Sequence, residues 1–568
     1  MLEFKLEDAV KEEINKLEKQ SKIISFIRTV VAIAAIVFII VALSATDYIY
    51  YIVAGVLVLL FMAVVIFTAP VYRRLAKNKA KIACYDKHRK RRNGKYNSFL
   101  DNGYELMNKK NYKESDLDLF GKHSLFQYLN SGRTKPGREA LQDALVNGSD
   151  INYGELAYKL AENEEAINLE ATIQGFDGNA KSLDYEALVS TMGTRIPFKI
   201  TYLLPLLSFI GMIVYGILSI AGIVNPYLLI VFLIVNFMFC KIFLGNEVFS
   251  LNSNAYSDLM DNYQDIIKTV ENTDIDSELY KEIKKEMLDT IPAVKSTRGI
   301  LGLLAFRNNF IFNLFSNLIL IFDFWTILIY NFKTKEQKEL INLFKATGKL
   351  EVALSFANIG IDNENYCIGD EADNISGNLM YHPLVKDCIA NSFNLDGGVI
   401  LTGSNMSGKT TFMRTIGICQ TLYNAKALIP AKSYSSCKLP IHTSLRANDM
   451  LSEGVSTFYA EILRMQEINK AIKDGKCLIL IDEIFKGTNA TERILASNKV
   501  IDKLNDYNQL FIISTHDYEL CDANNITNYH FEEGYTEDNK ITFDYTIKSG
   551  KSQTKNAIYL LKMANIIE

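Results

Sequence analysis

Lys409 is the residue around which the chemistry of this sequence gathers. It sits in the run Gly403-Ser404-Asn405-Met406-Ser407-Gly408-Lys409-Thr410-Thr411, which fits G-x-x-x-x-G-K-[ST]. Glycines at these two positions let backbone N–H groups close around phosphates. The lysine brings a positive charge to the β- and γ-phosphates, and Thr410 presents a hydroxyl to Mg²⁺. Such a loop has to lie between a buried strand and a helix. The apolar run Gly398–Leu401 precedes it and a helical pattern from Thr410 to Tyr423 follows. The start of that helix adds a favourable field for an anion.

Two further strand ends supply the groups that hydrolysis of a phosphoanhydride needs. Cys477-Leu478-Ile479-Leu480-Ile481 is a buried-strand run ending in Asp482-Glu483. Asp482 is placed to hold Mg²⁺, and Glu483 to orient the attacking water as general base. A second buried run, Leu510–Ser514, ends in Thr515-His516-Asp517. An isolated histidine is more often structural. One that follows the other two motifs in this order is a candidate contact to the γ-phosphate or the attacking water. These residues call for ATP and Mg²⁺ as cofactors.

With these motifs the chain resembles the ATPase domain of the MutS family, within the ABC superfamily, across roughly residues 370–568. The likeness runs through Tyr381-His382-Pro383-Leu384, the P-loop from Thr402 to Thr411, and Asp449-Met450-Leu451-Ser452-Glu453-Gly454-Val455-Ser456-Thr457-Phe458. It continues through Asp482-Glu483-Ile484-Phe485-Lys486-Gly487-Thr488-Asn489 and Thr515-His516-Asp517-Tyr518-Glu519-Leu520. A thinner likeness to the family's helical core covers Ser124–Asn130, Thr134–Leu141 and Thr347–Ala357. The resemblance implies a homodimer through the ATPase domain, in which Ser456 of one subunit acts in trans on the nucleotide of the other. Gly454–Thr457 stands before an apparent helix from Phe458 to Lys470, whose N–H donors and serine hydroxyl suit a γ-phosphate.

The elements that position this site lie in a longer chain. Its 568 residues suggest three or four units. An apolar fraction of 49% beside 22% charge requires the apolar residues to be concentrated somewhere. They are, in 29–45 and 48–69, which form one candidate transmembrane hairpin around Asp47. A second candidate pair, 201–224 and 226–240, turns at Asn225. Each run is about long enough to cross a roughly 30 Å hydrocarbon layer. Two spans follow each other and no small-residue cleavage site separates them from a mature domain, which argues against a cleavable signal peptide.

From Arg73 to Lys95 there are eleven Lys/Arg residues against the single Asp86. That excess places both ends of the first hairpin, and the ATPase, in the cytoplasm of an integral membrane protein. We read the run as a topology signal that meets anionic lipid headgroups. DNA is the alternative partner, although a net charge of −4 offers no global reason to expect it. A fifth apolar stretch, 310–332, holds Asn313, Asn317, Asp323 and Trp325. A lone Asp at mid-bilayer costs about 2.5–3.5 kcal/mol, so this stretch reads as a buried helix. Eight scattered cysteines without a C-x-x-C pair, away from the six histidines, exclude a disulfide framework and a zinc site.

The expected fold class is an α/β P-loop (ABC-type) ATPase domain behind an all-α core interrupted by transmembrane hairpins. Its units are 1–95, a helix with the first hairpin and the basic run; 96–199, the first part of the core; 200–245, the second hairpin; 246–369, the rest of the core; and 370–568, the ATPase. The departures from the family carry weight. A membrane hairpin stands where a mismatch-reading domain would be, and no Phe-x-Glu wedge lies near the N-terminus. The chain also stops at Glu568 without a nuclease extension. Three functions compete: a membrane-anchored ATPase that drives a conformational change, a tethered DNA-repair protein, and an ABC transporter. The last lacks the L-S-G-G-Q signature, since Ser456-Thr457-Phe458 takes that position.

Overall fold

The computed structural model describes residues 2–44, 49–175, 183–193, 196–244, 253–307, 310–333, 337–404, 406–446, 457–485, 489–535 and 541–552. Two long helices, Glu7–Ser44 and Ile49–Arg92, pack along each other. Within their apolar stretches they bury almost nothing but small residues, Ala35, Ala42 and Ala54 among them. Ile33, Ile36, Ile40, Val56, Leu59 and Phe67 point outward. Contiguous apolar surface of this kind needs a non-aqueous neighbour.

By length and composition, three helices suffice to cross a membrane: Glu7–Ser44, Ile49–Arg92 and Ile200–Ile220. The expected partner of the third is a shorter apolar helix, Leu228–Phe239, prolonged by a π-helical turn over Cys240–Leu244. Its turn is tied by the Tyr215 hydroxyl, which donates to the Asn225 carbonyl at 2.7 Å.

The stretch 310–332 departs from the single helix expected of it. It forms two helices, Phe310–Leu320 and Phe322–Lys333, with the described parts bent by 86°. The break falls at Ile321, whose φ of +44° no helix accommodates. Asn317 Oδ1 accepts from the Asp323 N–H at 2.9 Å and caps the second helix. The polar residues that argued against a span therefore build a corner. Both are buried.

The basic run differs in a second way. His88 and Arg91 of its later half, with Lys87 and Arg92 in part, face the helical core. The His88 ring sits 2.9 Å from Asp362 and 3.1 Å from Glu170, Lys87 pairs with Glu170 at 3.2 Å, and Arg92 meets Asp362 at 3.2 Å. His88 and Asp362 are fully buried there. Burial is tolerated because each charge has an opposite partner. The run thus plugs the apolar hairpin into the helical core, while Arg89, Lys90, Lys95 and its earlier residues stay available to a surface.

That core is centred on the helix Gln337–Asp362, which packs on Lys135–Asn147 and Tyr153–Ala161. The Thr134 hydroxyl accepts from the Gly137 N–H at 3.1 Å, capping Lys135–Asn147. It also donates to Glu351 on the central helix at 2.7 Å. A Cβ on Gly137 would strike that same carboxylate, so glycine permits the close approach.

Beyond Asp362 the chain becomes α/β. A six-stranded sheet runs in the order Lys548–Ser549, Ile526–His530, Gly398–Thr402, Leu510–Ser514, Leu478–Asp482, Ile441–Ser444, parallel except for the first. Side chains alternate between its faces. Leu401, Leu480 and Ile512 share the core of the helix Lys409–Asn424. Ile400, Ile481 and Ile513 share that of Thr457–Asp474 and Ala490–Asp506. Helices on both faces bury each central strand completely, which is why those strands are continuous apolar runs.

Candidate nucleotide site

The P-loop joins the strand Gly398–Thr402 to the helix Lys409–Asn424. Three of its residues have left-handed backbone: Gly403 (φ +137°), Met406 (φ +87°) and Gly408 (φ +102°). A Cβ on Gly403 would lie 2.7 Å from the Phe531 carbonyl oxygen, so glycine is required there. Lys409 Nζ donates to the Gly403 and Ser404 carbonyls at 2.7 and 2.8 Å, which folds the lysine across the mouth of its own loop. The Ser407 hydroxyl braces the loop by donating to the Ser404 carbonyl at 2.8 Å. Thr411 lines the same cleft, while Asn405 lies outside the described residues.

The acidic pair stands opposite. The Thr410 hydroxyl donates to Asp482 Oδ2 at 2.7 Å, and the Ser514 hydroxyl donates to Asp482 Oδ1. Parallel pairing of Leu478–Asp482 with Leu510–Ser514 sets Asp482 beside Ser514. Glu483 follows with φ +54°, a left-handed conformation that costs a non-glycine residue about 1–3 kcal/mol. The kink is held by the Glu483 N–H, which donates to the Ser514 carbonyl at 3.0 Å. His516 Nε2 lies 3.2 Å from Glu483 Oε1. The next residue, Asp517, is gripped by Arg493 through two bonds of 2.6 and 2.7 Å.

These groups line a cleft of about 760 Å³ that includes Ser404, Met406, Lys409, Thr410, Asp482 and Glu483. Hard oxygen donors from Thr410 and Asp482 beside a lysine suit Mg²⁺ with a polyphosphate. The far wall was not evident from the sequence. It consists of Val385, Cys388 and Ile389 with Tyr545 and Phe531, and Tyr545 reaches over Gly408. Asn391 joins the two sides, donating to the Tyr545 carbonyl at 2.9 Å and accepting from the Ile547 N–H at 2.8 Å. The only sequence signal for this wall was the nearby Tyr381–Leu384 motif. His382 in that motif is structural: burial, with Arg414 nearby, pushes it down to about 3, and its neutral Nδ1 accepts from the Leu384 N–H. Ser456 lies outside the described residues.

The strand–loop–helix with its acidic strand end defines a P-loop, ATPase-like α/β domain. Residues 399–568 match the family profile described as MutS domain V. The chain is 31% identical over 244 residues to human MutS protein homolog 4, covering 40% of this chain and 26% of that protein. It is 34% identical over 208 residues to the DNA mismatch repair protein MutS of Leptospira interrogans, covering 33% of this chain and 24% of that protein. The matched part thus spans about a quarter of the length of these relatives. The likeness is thus to the MutS family's domain V, and it is carried by this C-terminal domain.

Proposed function

We propose that this chain is a membrane-anchored ATPase whose nucleotide cycle moves the helical core. The carrying observation is the convergence of Lys409, Thr410, Asp482 and Glu483 on one cleft, with His516 beside Glu483, from three adjacent strand ends. Lys409 and the P-loop N–H groups bind the phosphates. Thr410 and Asp482 hold Mg²⁺, which when bound neutralises charge on the transferring phosphoryl group. Glu483 takes the proton of the attacking water, and His516 orients Glu483 or meets the γ-phosphate. Ser456 of a second subunit completes the site, making the working unit a homodimer. The outward-facing apolar helices support anchoring in lipid, with both termini and the ATPase in the cytoplasm.

A tethered DNA-binding protein is the second reading, favoured by the names of the relatives. Turnover by purified full-length chain, with and without detergent, separates the two when duplex, mismatched, branched and single-stranded DNA are added in turn. Basal Mg²⁺-dependent turnover unchanged by every DNA supports the first reading. Strong stimulation by one DNA form supports the second. Carbonate extraction reports on the anchor, and release of the chain into the soluble fraction would refute it.

A further inference from the structure

Three consecutive residues of the helical region reach into the ATPase domain without entering the nucleotide cleft. They are Asp116, Leu117 and Asp118, at and just beyond the end of the short helix Tyr112–Asp116. Leu117 is fully buried against the P-loop helix. A Cβ on Gly417 would come within 2.6 Å of its side chain, so the glycine makes room for it.

Asp118 has left-handed backbone (φ +52°) and binds two arginines. Both its carboxylate oxygens accept from Arg446 Nη2, at 2.6 and 2.7 Å, and it lies 3.4 Å from Arg414. Arg414 stands one helical turn beyond Thr410 on the P-loop helix. Asp116, fully buried, accepts from the Leu445 N–H at 2.9 Å and from Arg464 at 3.4 Å. Arg464 lies on the helix Thr457–Asp474 and stacks over the Tyr112 ring, 4.4 Å from its centre. One turn of the core therefore grips the P-loop helix, the end of the strand Ile441–Ser444, and the helix Thr457–Asp474.

The grip has unused capacity. Among the described residues, Asp116 Oδ1, Arg414 Nε and Arg464 Nη2 are buried without hydrogen-bond partners. Arg464 Nη2 and Asp116 Oδ1 belong to groups already in contact, so a small shift of the turn against that helix pairs them. Such a pairing would tighten the junction, the kind of second arrangement that a coupling element uses.

We propose that the Asp116–Asp118 turn is the positioning element through which the helical core sets the hydrolytic competence of the nucleotide site. Asp118 fixes Arg414, and through it the register of the P-loop helix against the strand bearing Asp482. Asp116 fixes the two elements on either side of the signature segment. The proposal rests on the ATPase reading above and adds the path by which the core controls it.

The test uses full-length protein in detergent micelles or lipid discs, with Asp118→Asn, Asp118→Glu, Arg446→Gln and the double variant D118N/R446Q. Fluorescent-ATP affinity of Asp118→Asn stays within about twofold of the parent, because no phosphate-binding group changes, while kcat falls at least tenfold. Asp118→Glu recovers part of kcat. The double variant loses no more than the worse single change, as expected for partners in one interaction. Hydrogen exchange in Lys409–Asn424 speeds up in Asp118→Asn. An unchanged kcat, or additive losses in the double variant, overturns the proposal. So does a fall in affinity and melting temperature together, with kcat preserved. If the parent binds no ATP, the ATPase reading fails. The clamp is then judged by exchange alone, and unaltered exchange in Asp118→Asn refutes it.

Discussion

Replacing Glu483 by Gln separates binding from chemistry at this site. The amide keeps the length and shape of the carboxylate, and it keeps the left-handed backbone that the Ser514 carbonyl holds in place. It therefore inherits the local strain without adding any. The substitution weakens the 3.2 Å pairing of His516 with Glu483, and both side chains are partly exposed, so the fold gives up little stability. Lys409, Thr410 and Asp482, which would hold MgATP, are untouched. What disappears is the base that accepts the proton of the attacking water. Removing a general base costs about 10²–10⁴-fold in rate, or about 2.7–5.4 kcal/mol at 1.36 kcal/mol per tenfold. Equilibrium binding of a fluorescent ATP analogue should match the parent, while phosphate release in a coupled assay should fall by at least two orders of magnitude. Parent-level phosphate release from the variant would remove Glu483 from the chemistry.

Other changes follow from the same geometry. Lys409→Ala should lose nucleotide affinity itself, read by the same titration, because the lysine charge at the mouth of the P-loop is gone. Mixing Lys409→Ala with Ser456→Ala protein should restore part of the activity if sites are shared across a dimer. No recovery, despite subunit exchange shown by pull-down, would count against sharing. Asp362→Ala should lower stability by about 3–5 kcal/mol, since it strips the partner from buried His88 and from Arg91 and Arg92. Burial alone opposes protonation of His88, but Asp362 and Glu170 outweigh it and raise its pKa. A raised folded pKa gives stability that is complete below the ordinary value of about 6.5 and is lost as pH climbs through the raised one. Melting temperature should therefore decline over that window in the parent and more shallowly in His88→Gln.

Much of the nucleotide site was legible because its parts are local. A glycine pattern, a lysine, an acidic strand end and a histidine after the next strand are each set by a few adjacent residues, and fully buried strands announce themselves as unbroken apolar runs. Two of the helices that pack on those strands, Lys409–Asn424 and Thr457–Asp474, were legible too, to within a few residues at their ends. The far wall of the cleft was not, because Cys388 and Tyr545 are more than 150 residues apart and meet only through the Asn391 bonds. The inward partners of the basic run were illegible for a related reason. Composition shows charge but not the distant carboxylates of Glu170 and Asp362 that draw it inward. In 310–332 the apolar pattern is helical throughout, and the break at Ile321 depends on a cap from Asn317 that periodicity does not reveal. The Asp116–Asp118 turn was invisible for the same cause, since its partners lie about 300 residues away.

The proposal that this chain hydrolyses ATP while seated in a membrane has one most direct test. It is Mg²⁺-dependent phosphate release by the full chain in lipid discs, beside Lys409→Ala prepared identically. Turnover by the parent should vanish with EDTA and be absent from the variant. Equal release by parent and variant, or a parent that neither binds nor hydrolyses MgATP when intact in lipid, would contradict it.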